Sequence, residues 1–332
     1  MKKKNDKKLM EQVQLVLRKK GQKAFEIAEN AILEEKIIRE PVHEALRYFM
    51  QESWYDVHHP ALLSLACEAV GGNPKTTTHI GAAIVLLAGA ADLHDDIIDR
   101  SEIKDSRPTV FGKFGENIAL LAGDALLFKG LILLHNACKE LPKEQGRRTL
   151  NLTKKAFFEI GNAEAKELSF RGKYDLEPRK YYDVIEAKAT VAEICARIGA
   201  ILGGGNSKEI NALSHYGKTL GILMTIRDDF IDLFEPDELR NRARNEVLPL
   251  PILYAFLNLE KKSEIIRLLR KDEITEKETR EILDLVMDTR EVQNLKKEMQ
   301  SLKTKTENLL KHFKRNRSTF KLLLQCTIEN LN

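Results

Sequence analysis

Cysteine is scarce in this chain. Four occur in 332 residues, at Cys67, Cys138, Cys195 and Cys326, and no two have the spacing of a zinc site or a redox dithiol. They read as buried apolar residues in a reducing compartment. Proline is also sparse, with nine residues gathered at plausible boundaries and none between Pro178 and Pro236. Within that gap Ile185, Ala189, Ala192, Ala196 and Ile198 recur at helical spacing, which predicts long helices. Sustained alternation and Asn-Gly or Asp-Gly hairpin signals are missing, which argues against a sheet. An excess of one charge is lacking too: 54 Lys and Arg against 50 Asp and Glu give a formal +4, too little to argue for a nucleic-acid partner. Long hydrophobic runs are absent. Residues Ile80 to Ala91 are too few to span a bilayer, and Ile118 to Leu134 contain Asp124 and Lys129. The lysine-rich start, Met1 to Lys8, precedes no apolar segment, so no secretory signal is expected and the cytoplasm is the default location.

What is present is the composition of a folded globular protein, 43% hydrophobic and 31% charged. Turn clusters at Gly71-Gly72-Asn73-Pro74 and Gly203-Gly204-Gly205-Asn206-Ser207 separate the helical stretches. With no Gly/Ser/Pro-rich linker and no fixed-period repeat, the expectation is one all-α domain over residues 1–332, a bundle of long helices. Residues 1–40 read as an N-terminal helical extension. Residues 259–332 read as charged, amphipathic C-terminal helices layered over the core.

Two short segments carry chemistry: Leu93-His94-Asp95-Asp96-Ile97-Ile98-Asp99 and Ile226-Arg227-Asp228-Asp229-Phe230-Ile231-Asp232. Each sets carboxylates at i, i+1 and i+4 in an otherwise apolar helical run. On a helix, i and i+4 share one face, so Asp95 with Asp99, and Asp228 with Asp232, can close on one ion while Asp96 and Asp229 flank it. Three carboxylates beside Ala, Leu and Ile cost several kcal/mol unless a cation compensates. An oxygen-only ligand set suits Mg²⁺, which usually binds one or two carboxylates together with substrate phosphates. Two such half-cages on facing helices would grip a diphosphate from both sides.

With these motifs the sequence resembles the trans-isoprenyl diphosphate synthase family, also called polyprenyl synthetases, from about Pro60 to the C-terminal helices. The strongest part runs from the first aspartate motif through Arg107-Pro108-Thr109-Val110, Lys113-Phe114-Gly115 and Ala122-Gly123-Asp124-Ala125-Leu126-Leu127. Gly221 before the second motif and Leu250-Pro251 after it also fit. The resemblance implies an isoprenoid-synthase bundle around a central apolar cavity. It implies an allylic prenyl diphosphate held through Mg²⁺, two or three ions, between the aspartate motifs, and a carbocation-like allylic carbon attacked by an acceptor. It also implies a homodimer. Ala90 and Ala91, one turn before Asp95, should face the tail channel; being small, they leave room for a tail of about 15 carbons or more, with Leu86 and Leu87 as a further floor.

The chain departs from the family where the second substrate, isopentenyl diphosphate, is normally anchored. Trp54-Tyr55-Asp56-Val57 stands in place of Gly-Gly-Lys-Arg, Ala88 in place of a histidine and Asp105 in place of an arginine. His58, His59 and His79 lie near in sequence. On the allylic side Lys104 replaces an arginine, Lys188 falls near the family's Lys-Thr pair, Thr225 replaces a glutamine and Val247 a lysine. Arg227, Arg240, Arg242 and Arg244 are candidate phosphate contacts. The expectation is therefore prenyl transfer to an acceptor other than isopentenyl diphosphate. Ordinary elongation through a rearranged anchor and a class I terpene cyclase are the alternatives, followed by a non-catalytic synthase subunit and a helical scaffold. Contact of the lysine-rich ends with a membrane stays open.

Overall fold

The computed structural model describes residues 2–36, 38–104, 106–271 and 273–329, with side chains from residue 8 onward. It is an all-α bundle. The helices are α1 (Lys2–Leu33), α2 (Val42–Tyr48), α3 (His58–Ala69), α4 (Thr78–Asp99), α5 (Val110–Phe114), α6 (Glu116–Lys139), α7 (Lys143–Leu168) and α8 (Pro178–Lys188). There follow α9 (Thr190–Leu202), α10 (Ser207–Asp232), α11 (Pro236–Asn245), α12 (Leu250–Ala255), α13 (Leu259–Leu269), α14 (Glu276–Met287), α15 (Arg290–Glu307) and α16 (Arg317–Cys326). Among the described residues the only strands are the two-residue pair Ile103–Lys104 and Arg107–Pro108.

Two helices place the aspartate motifs, and both are built from small and apolar residues. In α4, Gly81, Ala82, Ala83 and Gly89 let neighbours approach closely; a Cβ on Gly81 would meet Pro60 at 3.0 Å, and one on Gly89 would meet Phe49 at the same distance. The start of α10 is set by the Gly203–Ser207 turn: Asn206 Oδ1 accepts from the Lys208 and Glu209 amides, and Glu209 reaches back to the Asn206 amide, a capping box. Against α9, α10 packs through glycine. A Cβ on Gly217 would lie 2.4 Å from the Ala192 carbonyl oxygen, and one on Gly221 would lie 2.9 Å from Ala189 Cβ. Replacing Gly217 by Ala is therefore expected to lower stability by about 1–3 kcal/mol, read from the denaturant midpoint, because the clash is with backbone. The same close approach accompanies a break that the proline-free stretch did not predict: the helical run stops at Lys188 and restarts at Thr190.

One continuous set of buried apolar side chains runs from Val13 on α1 to Leu324 on α16. Helix α1, expected as an extension, contributes Val13, Leu17, Phe25, Ala28 and Ile32 to it. The charged C-terminal segment buries its apolar stripe, Ile265, Ile282, Val286, Val292 and Leu295, and adds more than a surface layer. Phe313 and Phe320 stack edge-on with Tyr216 of α10, whose hydroxyl donates to the Phe320 carbonyl at 2.7 Å.

Residues Pro74–Asp99 and Glu116–Lys139 are helices long and apolar enough to cross a bilayer by length and composition alone, a test that buried core helices also pass. Most of the first is buried in the bundle; the second is only one-third buried.

Candidate active site

Both aspartate triplets end their helices: α4 stops at Asp99 and α10 at Asp232. A helix C-terminus carries partial negative charge, so three carboxylates there are electrostatically misplaced unless cations gather. Arg100 closes α4 in the left-handed conformation, its amide donating to the Ile97 carbonyl at 3.3 Å. The loops then deliver the cations. Lys104 Nζ lies 2.7 Å from Asp96 and 3.4 Å from Asp92, and Arg171, just beyond α7, pairs with Asp99. Arg242 of α11 contacts Asp229, and its Nε and Nη1 lie 3.1 Å from Asp232 and from Glu246.

The six aspartates are not equivalent. Asp96 and Asp229, the middle members, are buried at 3% and 1% exposure. Asp229 accepts from the Leu250 amide at 2.9 Å as well as from Arg242, and Tyr181 lies at 3.5 Å. Asp95 lines a cavity, and its Oδ1 is a buried oxygen with no hydrogen-bond partner. Asp228 is well exposed, with Arg227 at 3.4 Å. Neighbouring charges link the two helix ends: Glu246 acts on Asp99, and Lys104 acts on Asp232. Burial, then Asp95 and Glu246, push the Asp99 carboxyl up to about 8, despite Arg171. Burial, moderated by Lys104, raises Asp96 to about 7. Asp229 rises to about 7 through burial, against the pull of Arg242. Burial raises Glu246, and Asp95 adds to this from the opposite helix.

Below Asp95 lies a cavity of about 420 Å³. Its walls are Ile84, Leu87, Ala88 and Ala91 of α4, Ala156, Phe157 and Ile160 of α7, and Val191 and Ile194 of α9. Its mouth carries Asp95, Asp92, Glu164 and Lys188. Lys188 Nζ is 2.9 Å from Glu164 and also touches Glu167. Burial would strip its proton, but Glu167, Asp95 and Glu164 outweigh burial and hold its pKa above the usual lysine value.

Several sequence expectations are corrected. Ala91 and Leu87 line the cavity, but Ala90 and Leu86 do not: both are buried in the core, because a helix shows only one face to the channel. Thr225 turns its hydroxyl back to the Gly221 carbonyl at 3.1 Å. Arg107 donates to the Glu52 carbonyl at 2.6 Å, on the exposed side of the strand pair. Arg242, a candidate phosphate contact, is instead committed to Asp229, Asp232 and Glu246, and Arg240 to Asp237 and the Ile274 carbonyl. His79 is exposed at the far end of α4, about 24 Å along the axis from Asp95. Asp105 lies outside the described residues. Arg171, Glu164, Glu167 and Glu246 were not anticipated. They sit in segments without a motif, and only the packing of α7, α8 and α11 brings them to the cleft.

Among the described residues no three His, Cys, Asp or Glu side chains are gathered tightly enough to form a preassembled metal site. The donor set still fits a hard divalent cation. Asp95 offers an unpartnered buried oxygen, the first triplet carries raised carboxyl pKa values, and every acidic donor is oxygen.

A helical bundle with acidic triplets at two helix ends above an apolar cavity is the architecture of isoprenoid synthases. A family model described as polyprenyl synthetase matches residues 43–286, and the chain belongs to that family. It is 34% identical over 181 residues to a short chain isoprenyl diphosphate synthase of Methanothermobacter thermautotrophicus, covering 54% of each chain. It is 31% identical over 210 residues to a geranylgeranyl diphosphate synthase of Methanosarcina mazei, covering 63% of this chain and 64% of the other. The matched stretch thus spans between half and two thirds of these curated relatives. The solved structure of a geranylgeranyl pyrophosphate synthetase from Pyrococcus horikoshii superposes with a TM-score of 0.83 at 26% identity, over 97% of this chain and 99% of that one.

Proposed function

We propose that the chain is a Mg²⁺-dependent trans-prenyltransferase that ionises an allylic prenyl diphosphate, of the short-chain or geranylgeranyl kind for which its relatives are named. The observation that carries this is the pair of aspartate triplets at the ends of α4 and α10, linked through Glu246, which acts on Asp99, and Lys104, which acts on Asp232, with Asp95 lining an apolar cavity. Asp95, Asp99, Asp228 and Asp232 are the residues that would hold Mg²⁺, and Asp96 and Asp229 brace them through Lys104 and Arg242. When bound, Mg²⁺ supplies neutralisation of the departing diphosphate. Lys188, Arg171 and Lys104, each paired with a carboxylate of this cleft, are the chain's own cations that the diphosphate oxygens would share with those carboxylates. The cavity walls exclude water from the allylic carbon. From Asp95 down to Ile84 the cavity follows about 16 Å of helix α4, room for a tail of several isoprene units.

The names of the relatives favour isopentenyl diphosphate as acceptor. A different acceptor is supported by the place where that second diphosphate would be anchored. There Trp54 stacks on Phe49 with ring centroids 4.9 Å apart, Tyr55 packs edge-on against Phe25, and Ala88 has no polar group. Asp56 is buried and bonded to His59. Incubating the protein with Mg²⁺ and allylic diphosphates of graded length, with and without isopentenyl diphosphate, tests both points. Absence of diphosphate release with every substrate refutes the enzymatic proposal; efficient elongation refutes the different acceptor.

Ala91→Phe narrows the channel directly beneath Asp95. Turnover of geranylgeranyl diphosphate should fall about tenfold or more while geranyl diphosphate stays within about twofold, since the clash grows with tail length. Equal effects on both would remove Ala91 from the channel.

Homodimerisation is part of this proposal. Helix α6 exposes Leu120, Leu121, Phe128, Leu131 and Ile132, and α7 exposes Phe158, a larger apolar face than a lone monomer usually presents. Phe128→Glu is expected to convert a dimer to a monomer in light scattering; an unchanged mass would place the interface elsewhere. Cys67, Cys138 and Cys195 are buried free thiols, which supports a reducing, cytoplasmic setting.

A further inference from the structure

Charge is unevenly placed along this chain. Residues 2–23 hold nine Lys and Arg against two acids, and residues 311–321 hold five against none. The two stretches together carry +12 while the whole chain carries +4, so the remainder stands at −8. Such asymmetry marks a surface that meets an anionic partner. The stretches lie near opposite ends of the sequence, yet the fold lays them side by side. Cys326 Sγ of α16 is 3.1 Å from Met10 Sδ of α1, and ten residues along each helix Lys20 and Asn316 share the Glu68 carboxylate, at 2.6 and 2.8 Å. Helices α1 and α16 are therefore antiparallel neighbours over about 15 Å, with Lys321 level with Leu15 and Arg317 level with Lys19.

The open faces of both helices are basic. On α1, Lys8, Arg18 and Lys19 are exposed on the same side as Leu15, at helical spacings of seven, three and four residues from it. Arg315, Arg317 and Lys321 are exposed at the start of α16 and along it. None of these six cations has a carboxylate partner among the described residues: Arg18 lies over the Tyr55 ring at 5.9 Å, and Arg317 donates to the Phe313 and Lys311 carbonyls. Lys20 and Lys314, by contrast, are paired with Glu68 and Glu209. Glu11 is the one acid of α1 between Lys8 and Lys23. In the middle of this cationic face Leu15 is 69% exposed. The face also adjoins the cleft, since the charges of Arg227 and Asp228 reach the Cys326 thiol, where α16 touches Met10.

We propose that this two-helix face docks on an anionic lipid bilayer, with its cations against lipid phosphates and Leu15 inserted at the edge of the acyl chains. The leucine chooses lipid over nucleic acid. An exposed apolar side chain among cations gains from entering a bilayer and gains nothing from a phosphate backbone. Docking beside Asp228 also brings the mouth of the cleft to the membrane, where a long prenyl tail can pass between bilayer and cavity. That consequence alone rests on the prenyl-transfer reading; the docking face does not.

The test sediments the full chain with large unilamellar vesicles of phosphatidylcholine, alone or in equal parts with phosphatidylglycerol. Wild type should pellet with the anionic vesicles and stay in solution with the neutral ones, and added salt should release it because screening shortens the reach of the charges. Each cation at an anionic surface strengthens binding about fivefold, so the triple variant Lys8→Gln, Lys19→Gln, Lys321→Gln should weaken it about 100-fold. Leu15→Ser should weaken it about fivefold or more. All four positions are exposed, so both variants should melt as wild type does. The proposal is overturned if wild type ignores anionic vesicles or binds neutral ones equally, or if either variant binds undiminished. Binding of duplex DNA or RNA in place of vesicles would overturn it too and give the face to nucleic acid. Vesicle binding without a thermal shift from Mg²⁺ and geranylgeranyl diphosphate would keep the docking face and remove the prenyl-transfer reading instead.

Discussion

Replacing Asp95 by Asn is expected to lower diphosphate release by about a thousandfold without harming the fold. Asp95 is where the site's negative charge converges: its carboxylate acts on Asp99, Glu164 and Glu246, and on the Lys104 and Lys188 ammonium groups. It also keeps an oxygen with no partner in the protein. A group whose job was structural would have found one, because an unsatisfied buried oxygen costs about 1–3 kcal/mol. Removing one of several repelling carboxylates should leave melting in the absence of metal unchanged or slightly raised, while the shift on adding Mg²⁺ shrinks. Asp228→Asn should behave alike. Release within tenfold of wild type in both would refute the metal-site assignment. The Mg²⁺ shift should also grow with pH. Asp99 has a raised pKa, about 8, so at lower pH metal must displace its proton, and above about pH 8 it need not.

Arg242→Met is expected to destabilise the protein by about 3–5 kcal/mol, the usual result of stripping one partner from a buried ion pair. Three carboxylates, Asp229, Asp232 and Glu246, share this guanidinium, and Asp229 is 1% exposed. Methionine keeps most of the packing volume, so the loss isolates charge from shape. Pairing it with Asp229→Asn should recover part of the loss, since the neutral amide no longer needs a counter-ion and still accepts from the Leu250 amide. Unfolding in denaturant measures both. A loss under about 1 kcal/mol would mean that water reaches this network, as it does at exposed pairs.

Much of the site was legible in the chain. The triplets Asp95-Asp96-Asp99 and Asp228-Asp229-Asp232 are a local pattern, and helix periodicity places the outer members on one face. That Asp56 and Ala88 stand at positions counted from a motif was equally visible in the chain. What was misplaced depended on rotation or on partners remote in sequence. Ala90 and Ala91 are adjacent, yet one faces the core and the other the channel; the difference is about 100° of helix rotation. Arg242 and Arg240 carry charge suited to phosphate, but whether an arginine faces ligand or neighbouring carboxylates is settled by where α11 folds back.

The sequence by itself determined an all-α chain with two helix-borne aspartate triplets, because helical periodicity and the i, i+1, i+4 carboxylate spacing are written within one or two turns; that both triplets end their helices came from the structure. Only the tertiary structure decided that Arg171, Glu164, Lys188 and Glu246 surround that acid, that Trp54 stacks on Phe49, and that Asp56 holds the ring of His59 at the cavity wall. Those relations join residues tens of positions apart. They depend on how far glycines such as Gly217 and Gly221 let helices approach, a distance that no local pattern encodes.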